Sequence, residues 1–228
     1  MKYADIDREV TRLQRELWKH RLTLLGRDPV DPLDAIDPAL AARVLGYEFV
    51  VQQELGRFGD RSNRFEIAGM IDRPRNKIAV AMKFGPQVQR FTAAHEVAHA
   101  MLHPAEVMHR DLPVKGVAEA RQPRKPVERE ADFGGACLLI PAKQLRKIFQ
   151  ENFGVANGFR FDDDAAFWLS PTDPEPLLYG SAATLDRALA LARAPSYGGR
   201  RIVRLDSFFK VSPTSMAIRI EQLGLIRH

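Results

Sequence analysis

The sequence predicts an α+β fold that is mostly helical and carries a small β-sheet or hairpin in front of its central helix. Two β-rich runs, residues 65–71 and 77–82, flank a polar stretch with Pro74 and Asn76, which is typical of a hairpin turn. The apolar residues that follow predict a helix over residues 86–103. Helical patterns fill most of the remaining chain, so strands are the minority element.

The amino-terminal third contains two further helices and one further strand. An amphipathic pattern over residues 5–25 predicts a helix that ends near Gly26. Asp37 and Pro38 are suited to the N-cap and first position of a second, shorter helix. The β-rich run at residues 47–51 then predicts a strand.

The rest of the chain alternates between helices and irregular stretches. Residues 104–126 contain four prolines and no apolar period, which predicts a surface loop. Two helices are predicted next, over residues 127–139 and 142–153, and proline precedes both of them. Residues 155–200 are mixed, and residues 202–225 predict a helix, a turn and a second helix.

These patterns divide the chain into four segments. We expect an N-terminal helix at residues 1–30, a core at 31–153, an insertion of unknown role at 154–200, and a helix-turn-helix-like segment at 201–228 that packs on the core. The insertion contains one predicted helix, at residues 181–193.

Composition excludes several classes of protein. With 45% apolar and 28% charged residues, the chain is an ordinary globular protein. No apolar run reaches the roughly 18 residues of a membrane span, and the first residues do not resemble a signal peptide, so we expect a cytoplasmic protein. The single cysteine, Cys137, excludes a disulfide framework and a zinc site built on several thiolates. The net charge of +5 favours acidic partners only weakly.

The central helix carries two histidines four residues apart, His95 and His99, with Glu96 beside the first. Residues four apart share a helix face, so both imidazoles can reach one cation. Glu96 can then polarise a water on that cation without occupying a ligand position, as in the His-Glu-x-x-His motif of metalloproteases. With only six histidines in the chain, about 0.01 such strings are expected by chance. The pattern therefore predicts a metal site.

Histidines alone do not complete this site. Catalytic zinc sites use three protein ligands and leave one position for water. The position six residues after His99 holds alanine, which excludes the class that uses a third histidine there. His103 lies on a neighbouring part of the same helix and suits a role beside a ligand or at the helix end. His109, in the predicted loop, is a weaker alternative for the third ligand.

The helix at 127–139 supplies a better third ligand. Glu128 and Asp132 are four apart and share a face with small residues, which permits close approach to the central helix. If Glu128 binds the metal, Asp132 can accept the ring N–H of a ligand histidine and fix its tautomer. Glu130 would point away, as an acid favoured by the helix dipole.

Several of these runs resemble the ImmA/IrrE family of metallopeptidases. The resemblance is carried by residues 69–73, 90–103 and 128–141, and by the tail at 211–225. It implies a gluzincin-like site in which His95, His99 and Glu128 bind Zn²⁺ and Glu96 is the base. It also implies cleavage of a protein substrate, a bacterial or phage transcriptional repressor or antitoxin.

Two other functions remain open on the sequence. The metal site could be structural in a regulator that binds DNA or a partner protein, because the tail is basic and its spacing suits a helix-turn-helix. Direct nucleic-acid binding is not favoured, since much of the second tail helix is apolar. The site could also hydrolyse an amide in a small molecule. The residue that stabilises the oxyanion is not identified, with Tyr179 and His109 as candidates, and the oligomeric state is not predicted.

Overall fold

The computed structural model describes residues 1–58, 65–104, 108–111, 125–181 and 184–227. The chain divides into two compact units, Met1–Leu139 and Ile140–His228. Helices predominate in both, and the first unit also holds a mixed β-sheet, which confirms the predicted α+β class. Among the described residues, none of the helices combines the length and apolar character of a membrane span. The division into four segments stays a prediction.

Within its described residues, the first unit contains five helices and a short 3-10 turn at Pro32–Ala35. The helices are α1 at Tyr3–Lys19, α2 at Arg21–Leu25, α3 at Pro38–Val44, α4 at Pro86–Leu102 and α5 at Pro126–Leu139. The single helix predicted over 5–25 is therefore two helices, separated at His20. Gly26 ends α2 with a φ of 66°, a left-handed conformation that glycine adopts without strain.

The sheet of the first unit has the strand order β1-β5-β4-β6. Its strands are β1 at Glu48–Gln52, β4 at Gly69–Asp72, β5 at Lys77–Ala81 and β6 at Met108–Asp111, while β2 at Arg57–Phe58 and β3 at Phe65–Glu66 form a separate pair. β4 and β5 form the predicted hairpin, and β1 runs parallel to β5.

Two strand predictions are wrong in detail. The run predicted over 65–71 is split between β3 and β4, which belong to different sheets. The predicted loop at 104–126 contains β6, which pairs antiparallel with β4. The chain therefore returns to the sheet after α4, a long-range pairing for which the proline-rich sequence gives no local signal. Residues 105–107 and 112–124 of that loop lie outside the described residues.

Helices α4 and α5 pack closely because α5 presents two glycines to α4. A Cβ atom built on Gly134 would lie 2.9 Å from the Cβ of Ala98, and one built on Gly135 would lie 3.1 Å from the backbone nitrogen of His95. Both distances are shorter than ordinary carbon contacts. The absence of side chains at these two positions therefore sets how near the two helices lie.

The hairpin turn is tied to the carboxyl end of α4 by Arg73. Its guanidinium donates to the carbonyl oxygens of His99, Ala100 at 3.2 Å and His103 at 2.9 Å, and also contacts the Tyr47 hydroxyl at 2.7 Å. The last carbonyls of a helix lack partners within the helix, and a cation there complements the helix dipole. Arg73 therefore fixes the end of the helix that carries the histidines.

The second unit is a small helical assembly with one short hairpin. Its elements are α6 at Ala142–Phe153, α7 at Asp163–Leu169, α8 at Glu175–Tyr179, α9 at Asp186–Arg193, β7 at Ser196–Tyr197, β8 at Arg200–Arg201, α10 at Leu205–Phe208 and α11 at Pro213–Gln222. The helix predicted over 181–193 begins only at Asp186. The helix-turn-helix-like character of the tail is not confirmed, because α10 is a single turn.

Gly134→Ala tests the close contact between α4 and α5. In an ordinary helix interior this change stabilises by about 1 kcal/mol, because alanine has the higher helix propensity. Here the added methyl meets Ala98, and we expect destabilisation by about 1–3 kcal/mol from overpacking. Chemical denaturation of the metal-free protein measures the change.

Gly85→Ala is the matched control for this variant. An added Cβ at Gly85 meets nothing within 4 Å, and no left-handed φ is required there. We expect a loss of at most about 1 kcal/mol, because Gly85 is the N-cap of α4 and glycine is preferred to alanine at that position. A stabilised Gly134→Ala variant would contradict the packing described for the two helices.

Candidate metal centre

His95 and His99 lie one turn apart on α4 and face the same point. Both side chains are fully buried, and so is the side chain of Glu96, which follows His95 in the sequence. Their Nε2 atoms are 3.0 Å apart, and the two rings meet edge to face. Two nitrogens so close together in the interior of a protein need a shared partner, a proton or a cation.

Glu128 on α5 completes a three-residue group. Its Oε2 atom is 3.5 Å from Nε2 of His95 and 3.8 Å from Nε2 of His99. One ligand atom from each of the three residues lies within 4.8 Å of the others. α5 packs closely against α4 at Gly134 and Gly135. The Glu128 carboxylate can therefore reach the two imidazoles, although it lies far from them in the sequence.

The spacing of these atoms fits a small divalent cation. Ligands at about 2.0–2.1 Å from a tetrahedral ion lie roughly 3.3 Å from one another. The three separations given above, 3.0, 3.5 and 3.8 Å, bracket that value. Two imidazole nitrogens and one carboxylate are also the donor set of one class of catalytic zinc site. The group formed by His95, His99 and Glu128 could therefore hold a metal ion.

Glu96 lies against strand β4. A Cβ atom built on Gly69 would lie 2.8 Å from Oε1 and 3.0 Å from Cγ of Glu96, and it would also overlap Thr92. The strand can pass this closely only because residue 69 has no side chain. Gly69 was not identified as a site residue from the sequence, although a glycine within a β-rich run is a signal of close backbone approach.

Asp132 lies beside the first imidazole. Its Oδ1 atom is 3.0 Å from Nδ1 of His95. A carboxylate only accepts hydrogen bonds, so Nδ1 of His95 carries the proton and donates it. The lone pair of this neutral imidazole is then on Nε2, the atom that faces His99 and Glu128. This contact is the one that the spacing of Glu128 and Asp132 predicts.

His103 and Glu130 lie beside the second imidazole. Nδ1 of His99 is 2.9 Å from Nδ1 of His103, and Nε2 of His103 is 3.0 Å from Oε2 of Glu130. The Met1 amino group also contacts Glu130. Hydrogen bonds from Met1 and then from His103 hold the pKa of Glu130 below its ordinary value, against a smaller effect of burial. Glu130 was expected to point away from the site, and its contact with His103 was missed.

The geometry can now be compared with known families. A family model described as the IrrE N-terminal-like domain, of the Peptidase_M78 family, matches residues 50–157. Residues 50–157 therefore match an IrrE-like domain of a metallopeptidase family. No curated protein sequence matches the chain. The match confirms the resemblance drawn from the sequence, and it spans both helices that supply the three-residue group.

Two residues suggested for the oxyanion gain no support within this IrrE-like domain. His109 lies on β6, opposite Ile71 of β4, but its side chain lies outside the described residues. Tyr179 belongs to the second unit and is 81% exposed. The residue that stabilises the oxyanion therefore stays unassigned.

Glu128→Ala tests whether the IrrE-like domain binds metal through this group. We expect the wild-type protein to bind one equivalent of Zn²⁺, and the variant to bind it at least roughly 100-fold more weakly, because one of three ligands is lost. Competition with a chromophoric chelator measures the affinity. Glu151→Ala, an exposed glutamate on α6, serves as the control and should bind as the wild type does. Unchanged affinity in Glu128→Ala would exclude this carboxylate as a ligand.

Proposed function

We propose that the chain is a zinc-dependent endopeptidase that hydrolyses a peptide bond in a protein substrate. One observation supports this above others: two Nε2 atoms and a Glu128 oxygen converge beside a fully buried glutamate, within a metallopeptidase-family domain. In this proposal His95, His99 and Glu128 are the metal ligands, Glu96 is the general base, and Asp132 orients His95.

The choice of zinc follows from the donor set. Two neutral imidazoles and one carboxylate suit Zn²⁺, whereas Mg²⁺ and Ca²⁺ prefer oxygen ligands. Among the described residues the set has three protein ligands, and three is the number found in catalytic zinc sites. A structural site would be closed by a fourth ligand. Three described ligand atoms therefore favour an enzyme over a regulator with a structural metal.

The proposed mechanism assigns the proton transfers to Glu96. When bound, the ion acts as a Lewis acid that polarises the scissile carbonyl and makes a water molecule more acidic. The Glu96 carboxylate accepts the proton of the attacking water as the C–O bond forms, and later delivers it to the leaving nitrogen as the C–N bond breaks. Because Glu96 is fully buried, its charge acts on the reacting atoms with little screening by solvent.

Two neighbours hold Glu96 in place for this role. The backbone of β4 at Gly69 lies against the carboxylate, and Thr92 lies one turn earlier on α4. The ligand His95 is adjacent in sequence, so the base and the first ligand are carried by the same helical turn. A general base acts only within hydrogen-bond reach of the proton it takes, and this arrangement limits where the carboxylate can go.

The proposed substrate is a bacterial or phage transcriptional repressor or antitoxin in the cytoplasm. This part of the proposal is supported by the resemblance to the ImmA/IrrE family, at the residues that carry it in both helices of the site. The net charge of +5 is compatible with an acidic protein partner. A role in transcription regulation would then be indirect, through removal of the repressor.

Glu96→Gln tests the proton transfers. The amide cannot accept the proton of the attacking water, so we expect cleavage to slow by about 10²- to 10⁴-fold while Zn²⁺ affinity stays the same. The assay incubates the protein with a repressor-like protein encoded next to its gene, with and without chelator, and follows the fragments by mass spectrometry. Cleavage at the wild-type rate by this variant would remove Glu96 from the mechanism.

Gly69→Ala tests the placement of Glu96. The new methyl overlaps the Glu96 side chain and displaces it, and a displacement of about 1 Å can cost on the order of 100-fold in rate. We expect kcat to fall and Zn²⁺ affinity to stay within about threefold of the wild type, because the atoms nearest to the new methyl belong to Thr92 and Glu96 rather than to a proposed ligand. Gly85→Ala is again the control. Loss of metal together with activity would show that the change disrupts the whole site.

A further inference from the structure

The two imidazoles of the site are held in different ways. His95 contacts a carboxylate directly, through Asp132. Nδ1 of His99 instead contacts a second imidazole, His103, and that ring in turn contacts the Glu130 carboxylate. His103 and Glu130 are not in the group of three that could hold the metal. Their contacts therefore need an explanation of their own.

Hydrogen-bonding capacity fixes the direction of this chain of contacts. The Glu130 carboxylate only accepts, so Nε2 of His103 donates to it at 3.0 Å. A neutral imidazole that donates from Nε2 has an acceptor at Nδ1. Nδ1 of His99, 2.9 Å away, must then donate to it. The lone pair of His99 is left on Nε2, directed at His95 and Glu128.

We propose that His103 is a positioning residue that sets the tautomer and orientation of His99 for metal binding, with Glu130 as its anchor. This inference rests on the proposed function, because it takes His99 to be a ligand. A group that accepts the second ring N–H of a ligand histidine orients that ring and raises its basicity. The loss of such a group typically weakens metal binding about 10- to 100-fold. In this chain the Glu130 carboxylate would act on Nδ1 of His99 through the His103 imidazole.

The position of His103 is itself well fixed. It is the residue that ends α4, its side chain is 8% exposed, and its carbonyl oxygen accepts from Arg73 at 2.9 Å. Its ring is tilted against that of His99, with 4.9 Å between centroids. The backbone and the ring of His103 are thus held by separate contacts. A side chain that orients its neighbour must itself be fixed in this way.

Replacing His103 by asparagine or by glutamine distinguishes a positioning role from a packing role. The Oδ1 atom of asparagine occupies the place of Nδ1 of histidine, so His103→Asn keeps the acceptor for His99. The amide of glutamine reaches the place of Nε2, so His103→Gln keeps a contact with Glu130 and removes the acceptor for His99. Glutamine fills more of the vacated volume, so packing alone would favour it.

The experiment measures Zn²⁺ affinity of the full chain by chelator competition, and the visible absorption of the Co²⁺-substituted protein. We expect His103→Asn to bind within about threefold of the wild type and His103→Gln to bind about 10- to 100-fold more weakly with a changed Co²⁺ spectrum. His20→Asn, which replaces an exposed histidine at the carboxyl end of α1, should match the wild type. Thermal denaturation of the metal-free variants reports any loss of folding.

Each result has one meaning. His103→Gln binding as tightly as the wild type, or more tightly than His103→Asn, would overturn the positioning role and leave the metal site intact. Equal weakening of both variants with an equal loss of thermal stability would assign His103 to packing and also overturn it. A wild-type protein that binds no Zn²⁺ would instead refute the proposed function, before position 103 is considered.

Discussion

The close contact between α4 and α5 is the constraint on which the metal centre depends. The two imidazoles come from one helix and the carboxylate from the other, and side-chain reach alone cannot close a wide gap between helices. Gly134 and Gly135 remove the side chains that would hold the helices apart. Glycine in a helix costs about 1 kcal/mol relative to alanine. Two adjacent glycines nevertheless occupy this helix, directly opposite His95 and Ala98.

The sheet places the remaining parts of the site around α4. Strand β4 passes Glu96 at Gly69, and the turn that follows β4 presents Arg73 to the carboxyl end of the helix. Both contacts come from residues only four apart in the hairpin. One face of α4 thus meets the other ligand helix, while the β-hairpin fixes the base and the helix terminus. Residues 92–99 of α4 are all buried because the helix is covered from both directions there.

The parts of the site that share one helix were predictable from the sequence, because helical periodicity is local. The spacing of His95 and His99 fixes their common face, and the same rule relates Glu128 to Asp132. The contact of Glu130 with His103 was not predictable, because it depends on how α5 is rotated against α4. Strand β6 was missed for a similar reason, since its pairing with β4 is made far along the chain. The break between α1 and α2 was missed because the apolar pattern itself runs on through His20.

The division of the metal ligands between two helices has a consequence for the order in which the protein acquires its chemistry. During synthesis from the amino terminus, the ribosome releases α4 well before α5. A nascent chain at that point carries both imidazoles and Glu96 but lacks the Glu128 carboxylate. The complete set of proposed ligands therefore forms only after α5 has emerged and docked against α4.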